Sequence, residues 1–167
     1  MKNIKFRFIL TAAVLGLAGV ASAEVLTTCG RSEVYALCVE GTNTTTLWTW
    51  TAANSDLPLG FKSLFNTTDD CKAYPDGTML IASSGGAVAL VEHPPSSTVL
   101  FYAQAENAHS ADLLPSNRVA VALSTSSSGG DRVVVFDLAE SDVELFSVAL
   151  YAAHGVVWDS QTPLLMV

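Results

Sequence analysis

The chain repeats one pattern of residues three times. Residues 69–84 align without a gap on residues 109–124, and a third copy begins at His154 and continues to Asp159. The copies start 40 and then 45 residues apart, and each interval holds short apolar runs separated by turn residues. Repeats of this length and composition are typical of β-propeller blades, which are small sheets arranged around a central channel. The repeat therefore predicts an all-β fold.

Turn residues divide each copy into strands. In the first copy, Pro75-Asp76-Gly77, Gly85-Gly86 and Pro94-Pro95 separate the apolar runs, and glycine and proline favour turns over ladder positions. We therefore predict four strands in each of the two complete copies, at about 70–74, 78–84, 87–92 and 98–102 in one and at about 110–114, 118–124, 131–137 and 143–147 in the other.

A partial blade precedes these copies and another follows them. Residues 34–39, 46–51 and 61–65 are predicted to form the second, third and fourth strands of the preceding blade, with its first strand absent. The third copy reaches Val167 in the middle of a predicted strand. We therefore expect a truncated fragment of a β-propeller that is seven-bladed when complete, with two full and two partial blades at about 33–65, 69–103, 109–148 and 154–167.

The first 23 residues have the pattern of a secretory signal peptide. Three basic residues precede an apolar run over 8–20, and the small residues 21–23 match a cleavage pattern. The apolar run is shorter than the roughly 20 residues that cross a bilayer. We expect a mature chain of residues 24–167 that is secreted, extracellular and without a membrane span.

The predicted mature chain is strongly acidic. The whole sequence carries a formal net charge of -8, and three of its eight basic residues lie in the predicted signal peptide. Five basic residues then remain beside sixteen acidic ones, which gives -11. Because phosphate backbones attract surfaces rich in Lys and Arg, we expect no nucleic-acid partner.

Three cysteines in an oxidising compartment predict one disulfide and one leftover thiol. Cys29 and Cys38 are close together in the sequence and form the predicted pair, which leaves Cys71 unpaired or with its partner outside this chain. Asn43 and Asn66 each begin an Asn-Thr-Thr acceptor pattern for N-glycans. We predict that both lie in surface loops.

The start of the three copies holds the candidate catalytic residues. The gapless alignment places Asp69, His109 and His154 at one position, just before the first strand of successive blades. In a propeller this strand lines the channel, and equivalent loops converge on one face. We predict His109 and His154 as catalytic residues and Asp69 as a substrate-binding residue. The alternative is structural, with each His a hydrogen-bonding residue and Asp69 a turn cap.

Two further residues are candidates for substrate binding. Lys72 would place a cation in the channel for a carboxylate group, and its alternative is a strand-edge charge that deters aggregation. Trp158 would stack on a sugar ring, and its alternative is packing between blades. No His-x-x-x-His or Cys-x-x-Cys spacing occurs, so no local metal motif is predicted. The cofactor is unknown, and a divalent metal at the channel mouth is an open alternative.

Five motifs from about residue 46 onward form a set that covers most of the mature chain. They are Trp48-Thr-Trp50, Asp70-Cys-Lys72, Ser83-Ser-Gly-Gly86, His109-Ser-Ala-Asp-Leu-Leu-Pro115 and His154-Gly-Val-Val-Trp-Asp159. Together they resemble a largely uncharacterised family of secreted microbial β-propeller proteins. More distantly, the chain is similar to propeller polysaccharide lyases. That second resemblance implies that channel-mouth histidines, here His109 and His154, act on a carbohydrate or small uronide ligand.

A lyase of this kind eliminates a 4-linked sugar from a uronic acid. The reaction needs a base for the C5 proton, an acid for the leaving oxygen and a cation for the carboxylate charge. His109 and His154 would be base and acid in either order, and Lys72 the cation. The acidic surface would repel a polyanion more than a small uronide. The competing interpretations are a non-enzymatic propeller that binds glycan or protein, and a truncated product without function.

Overall fold

The computed structural model describes residues 24–92, 96–127 and 129–167. The predicted signal peptide, residues 1–23, lies outside the described residues, as does His93. No helix among the described residues is long and apolar enough to cross a membrane. The described chain is an all-β fold of four antiparallel sheets, which confirms the all-β class expected from the repeat.

The strands of each sheet follow one another in chain order, and their pairings are antiparallel. The first sheet contains β1 (Glu24–Gly30), β2 (Glu33–Glu40) and β3 (Asn43–Thr51). The second contains β4 (Thr68–Ala73), β5 (Thr78–Ser83), β6 (Ala87–Glu92) and β7 (Val99–Gln104). The third contains β8 (Ala108–Leu114), β9 (Arg118–Leu123), β10 (Arg132–Asp137) and β11 (Glu144–Ala149). The fourth contains β12 (Val157–Asp159) and β13 (Leu164–Met166).

The second and third sheets each have the four strands predicted from the two complete copies. Between β8 and β9, Ser116 and Asn117 both have positive φ, at 65° and 60°. Between β4 and β5, Gly77 has a φ of 84°, and Thr78 N donates to Asp76 Oδ1 at 3.0 Å. Turns with positive φ match the right-handed twist of paired strands. These short turns set the register of both hairpins.

Residues 61–65, predicted as a strand, are helical. Helix α1 (Leu59–Lys62) continues into a 3-10 turn (Ser63–Phe65). The segment contains no β-branched residue to favour an extended backbone, and Pro58 precedes it with a φ of -54° that suits a helix start. Phe65 turns into the core and packs edge to face on Trp50, with ring centroids 5.5 Å apart. Burial of Phe65 therefore does not require a strand.

Strand β1 is an addition to the predicted first sheet. Thr68 N donates to Arg31 O, so β1 ends beside the start of β4. In the second sheet, Ser84 N donates to Thr67 O at 3.1 Å, so β5 also ends beside the start of β4. In addition, β1 packs on β4 as β5 packs on β8. Strand β1 therefore forms the edge of the first sheet that packs on β4, and β2 and β3 follow it as the second and third strands of that sheet.

Three apolar cores lie between successive sheets. The core between the first and second sheets includes the buried side chains of Val34, Trp50, Phe65, Ile81 and Val91. The core between the second and third sheets includes Leu80, Val88, Phe101, Val121 and Phe136. A smaller core between the third and fourth includes Val133, Val135, Ala153 and Val156. The sheets therefore stack face to face in chain order.

The predicted Cys29–Cys38 disulfide is absent from the structure. Strands β1 and β2 pair Cys29 with Val34 and Val25 with Cys38, so the two cysteines are four residue pairs apart along the hairpin. At about 3.3 Å per residue this separation is roughly 13 Å. Cα atoms joined by a disulfide lie less than about 7 Å apart. All three cysteines are free, and Cys29 and Cys71 pack on the same core.

Candidate functional site

The first strands of the second and third sheets each contain a bulge at the same place. The pairing of β4 with β5 steps from Thr68 to Asp70 and leaves Asp69 outside the ladder. The pairing of β8 with β9 steps over His109 in the same way. A bulge re-aims its side chain and is frequent beside active sites. Two positions that align in the sequence therefore share one backbone distortion.

Asp69, His109 and His154 lie together, and we refer to them as the histidine cluster. The imidazole rings of His109 and His154 have centroids 4.6 Å apart and planes tilted by 33°. Asp69 Oδ1 lies 3.7 Å from His109 Nδ1, and the two side chains are 26% and 27% exposed. A ligand can reach the cluster because its side chains are only partly covered. The structure therefore brings together three of the residues predicted from the repeat.

The hydrogen bonds of His154 define which of its nitrogens can act as a base. His154 Nδ1 lies 2.7 Å from Ala152 O and 3.3 Å from Ser124 Oγ. A carbonyl oxygen can only accept a hydrogen bond, so Nδ1 carries a proton and donates to Ala152 O. In the neutral ring the lone pair is then on Nε2. His154 can therefore take a proton from a ligand through Nε2.

Asp131 holds the turn that carries His154. Its Oδ1 accepts a hydrogen bond from Ala152 N at 2.8 Å, and its backbone oxygen accepts one from Leu150 N at 2.9 Å. Ala152 has a φ of 51°, which is unfavourable for a residue with a side chain and needs such support. The sequence prediction missed Asp131 and Ser124. No local motif marks them, because the fold brings both to the turn from the third sheet.

Lys72 lies next to the cluster, but its ammonium group forms hydrogen bonds and an ion pair within the protein. Its Nζ lies 2.5 Å from Ala111 O, 2.9 Å from Val156 O and 3.2 Å from Ser110 Oγ. It also forms an ion pair with Asp70 Oδ2 at 3.1 Å. An ammonium group has three N–H donors, and these acceptors use all three. Lys72 therefore joins β4 to β8 and to the segment before β12, and the structure does not leave it free as the predicted substrate cation.

Trp158 belongs to a second polar layer, formed further along the same strands. Tyr74 Oη donates to Asp112 Oδ1 at 2.5 Å, and Asp112 Oδ2 accepts a hydrogen bond from Trp158 N at 2.8 Å. Burial, and then the hydrogen bond to Asp112, raise the pKa of Tyr74 above its ordinary value. The backbone of Trp158 is therefore tied to this layer. The described contacts do not bring Trp158 to the histidine cluster.

The predicted glycosylation sites are both exposed. Asn43 is the first residue of β3, and Asn66 follows the 3-10 turn. Thr67 Oγ1 donates to Asn66 Oδ1 at 3.3 Å. An oligosaccharide needs an accessible asparagine, and both positions meet that condition. Their glycosylation stays a prediction.

The cluster has the groups that acid–base chemistry requires. Within the described parts of the chain, no three His, Cys, Asp or Glu side chains are arranged to hold a metal ion. A carboxylate and two neighbouring imidazoles are groups that can accept and donate protons. The arrangement can therefore remove a proton from a ligand and deliver another to it.

Comparison with known proteins identifies a family and distant structural likenesses to solved proteins. No curated protein matches the chain. The chain is similar to a crystal structure of a protein of unknown function from Bacteroides caccae, with 15% identity and a TM-score of 0.47. The alignment covers 83% of this chain and 51% of that one, so the chain spans about half the length of that protein. None of these matches names a polysaccharide lyase. Residues 20–167 match a family described as a family of unknown function, DUF6528, and the chain belongs to this family.

Proposed function

We propose that the four sheets are successive blades of a β-propeller, with β4 and β8 as the innermost strands of its two full blades. The face-to-face stacking of the sheets and the polar layers that join β4, β8 and β12 support this assignment. The complete propeller has seven blades, and residues 1–23 direct its export. A mature N-terminus at Glu24, read by sequencing the exported protein, would support the export assignment, and a retained Met1 would contradict it.

We further propose that the protein is a secreted carbohydrate-active propeller that eliminates a sugar from a uronic acid residue at the histidine cluster. The observation that carries this proposal is the contact between the rings of His109 and His154, 4.6 Å apart, beside Asp69. Elimination needs a proton acceptor and a proton donor on the protein, a few ångströms apart, so that both reach the same ligand. Two neighbouring imidazoles can take these two roles.

His154 is assigned as the base and His109 as the acid. The Nε2 lone pair of His154 takes the C5 proton of the uronic acid, and the C5–H electrons form a double bond to C4 as the C4–O bond breaks. His109, protonated and paired with Asp69, gives a proton to the leaving oxygen. The enzyme accepts one proton and donates one. The products are an unsaturated uronide and a sugar with a free hydroxyl group.

The substrate carboxylate also needs a cation beside it, and the ammonium group of Lys72 is already bound to groups of the protein. In this mechanism the protonated ring of His109 is the cation that faces the ligand. The whole chain carries a formal charge of -8, which repels a long polyanion more strongly than a small one. A short uronide is therefore the proposed substrate.

The test measures the ultraviolet absorbance of the new double bond, which is conjugated with the carboxylate. A 4-linked oligogalacturonide and a rhamnosyl-glucuronate oligosaccharide are the two probes. The expected result is turnover of one of them by the wild-type chain. His154→Ala and His109→Ala should each lower turnover by about 10²–10⁴-fold. The bound fraction of substrate, measured by calorimetry, should change little in His154→Ala and fall in His109→Ala, which also loses the cation that faces the ligand.

His93→Ala is the matched control, because His93 is the third histidine of the sequence and lies outside the predicted cluster. It should keep the wild-type rate. No rise in absorbance with either probe, or a wild-type rate in His154→Ala, would refute the lyase proposal.

A second candidate function is binding of a glycan or protein without turnover. The engagement of Lys72 favours it, because the described cluster then has no lysine to stabilise a developing carboxylate charge. Calorimetric binding of either probe with no absorbance change, weakened in the His109→Ala/His154→Ala double variant, would support this alternative.

A further inference from the structure

We propose that Cys29 and Cys71 form a disulfide that joins the first sheet to the second. Cys29 lies near the end of β1, and Cys71 lies in the middle of β4. These two strands pack directly on each other across the boundary between the sheets. Both side chains are half-buried and pack on the same apolar core.

Hydrogen bonds hold the two strands together beside the thiols. Thr68 N donates to Arg31 O, and Thr68 Oγ1 donates to Glu33 O at 3.4 Å. Arg31 follows Cys29 by two residues, and Thr68 precedes Cys71 by three. The backbone near both cysteines is therefore positioned before any covalent bond forms.

The two side chains also hydrogen-bond to each other. This hydrogen bond lowers the pKa of Cys29 and raises the pKa of Cys71. A hydrogen bond with the Thr68 side chain also lowers the pKa of Cys29. Cys29 is therefore the thiol that more readily becomes a thiolate, and a thiolate is the attacking form in disulfide exchange.

A small-molecule disulfide such as glutathione disulfide is the oxidant. The Cys29 thiolate attacks one sulfur of it, forms a mixed disulfide and releases one glutathione. Cys71 then loses its proton and attacks the Cys29 sulfur, which releases the second glutathione. The two cysteines lose two electrons, and the oxidant gains them. The two protons end on the two glutathione thiols.

The cross-link would close a segment that contains the remainder of the first sheet, the three short helical segments between β3 and β4, and the start of β4. It would also anchor β4 two residues from Asp69, and so fix one side of the histidine cluster. Cys38, which lies on β2 away from this contact, would keep a free thiol.

Trypsin separates the three cysteines without ambiguity. Cleavage after Arg31, Lys62 and Lys72 leaves Cys29 in the peptide that ends at residue 31, Cys38 in peptide 32–62 and Cys71 in peptide 63–72. The chain is incubated with glutathione disulfide, alkylated under denaturing conditions and digested without reductant. Mass spectrometry should then show the peptide ending at residue 31 linked to peptide 63–72, with the alkyl group on peptide 32–62.

Variants add a second readout. The oxidised wild-type chain should melt about 10 °C above the reduced chain, because the cross-link restricts the unfolded state. Cys38→Ser is the matched control and should keep both the linked peptides and this difference. Cys71→Ser should lose both. A link between Cys29 and Cys38, or alkylation of all three cysteines after oxidation, would overturn the proposal, and the wild-type peptide map decides this even if Cys71→Ser does not fold.

Discussion

Replacement of Lys72 by methionine should loosen the contact of the second sheet with the third and fourth. Methionine keeps an unbranched apolar stem but removes the ammonium group. The carbonyls of Ala111 and Val156 then lose their donor, and Asp70 loses its ion-pair partner. The second, third and fourth sheets meet at this one side chain. The variant therefore tests whether Lys72 has the structural role seen in the contacts.

The expected loss of stability follows from these contacts. A neutral hydrogen bond contributes about 0.5–1.5 kcal/mol net, and one to a charged group about 1.5–3 kcal/mol. The side chains of Lys72 and Asp70 are 27% and 24% exposed, so water replaces part of what is lost. We expect the free energy of unfolding to fall by about 2–4 kcal/mol. For a chain of this size that corresponds to a melting temperature lower by roughly 4–16 °C.

The assay is urea denaturation followed by tryptophan fluorescence and circular dichroism, with the wild-type chain in the same buffer. Lys62→Met is the matched control. Lys62 Nζ also donates to two carbonyls, Ala53 O at 3.1 Å and Ser55 O at 2.8 Å, but these belong to the same surface segment. Its replacement should cost about 1 kcal/mol or less. A loss in Lys72→Met no greater than that in Lys62→Met would refute the structural role of Lys72.

The remaining predictions concern the second polar layer and one tight turn. Tyr74→Phe removes the hydrogen bond to Asp112 and should lower the free energy of unfolding by about 1 kcal/mol. Because the folded state raises the pKa of Tyr74, its contribution is complete below a pH of about 10 and is lost as the pH rises further. Denaturation from pH 9 upward should thus show a steeper loss in wild type than in Tyr74→Phe, and equal slopes would contradict this. Gly130→Ala would put a Cβ 1.9 Å from Ser124 O and should cost about 1–3 kcal/mol. Gly60→Ala, with nothing within 4 Å, should melt within a few degrees of wild type, and an equal loss in both glycine variants would argue against the clash.

The two complete sheets could be predicted from the sequence because their signals are local. Pro75-Asp76-Gly77 and Ser116-Asn117 make turns from residues that are adjacent in the chain, and the apolar runs between them have strand length. Residues 61–65 have no such signal. The i, i+3, i+4 spacing of Phe61, Leu64 and Phe65 suits one face of a helix, but five residues are too few for a periodicity to identify the element. In the fold, Phe65 contacts Trp50, a residue of another element.

The neighbours of the cysteines in the fold could not be predicted for a related reason. Cys29 and Cys38 are near in the sequence, but an antiparallel hairpin places residues together according to their distance from the turn. Cys29 is close to that turn and Cys38 is far from it. Cys71 reaches Cys29 through the packing of β1 on β4, and β1 itself is absent from the strands predicted for the first sheet.

The repeat alone predicts that Asp69, His109 and His154 occupy equivalent positions, because each copy of a repeat has the same position in its own blade. Their contact in the folded chain agrees with that equivalence. The role of Lys72 follows instead from its contacts in the folded chain. Its partners Ala111 and Val156 are distant in the chain, and whether a lysine faces a ligand or the protein depends on which carbonyls folding brings within reach of its three donors.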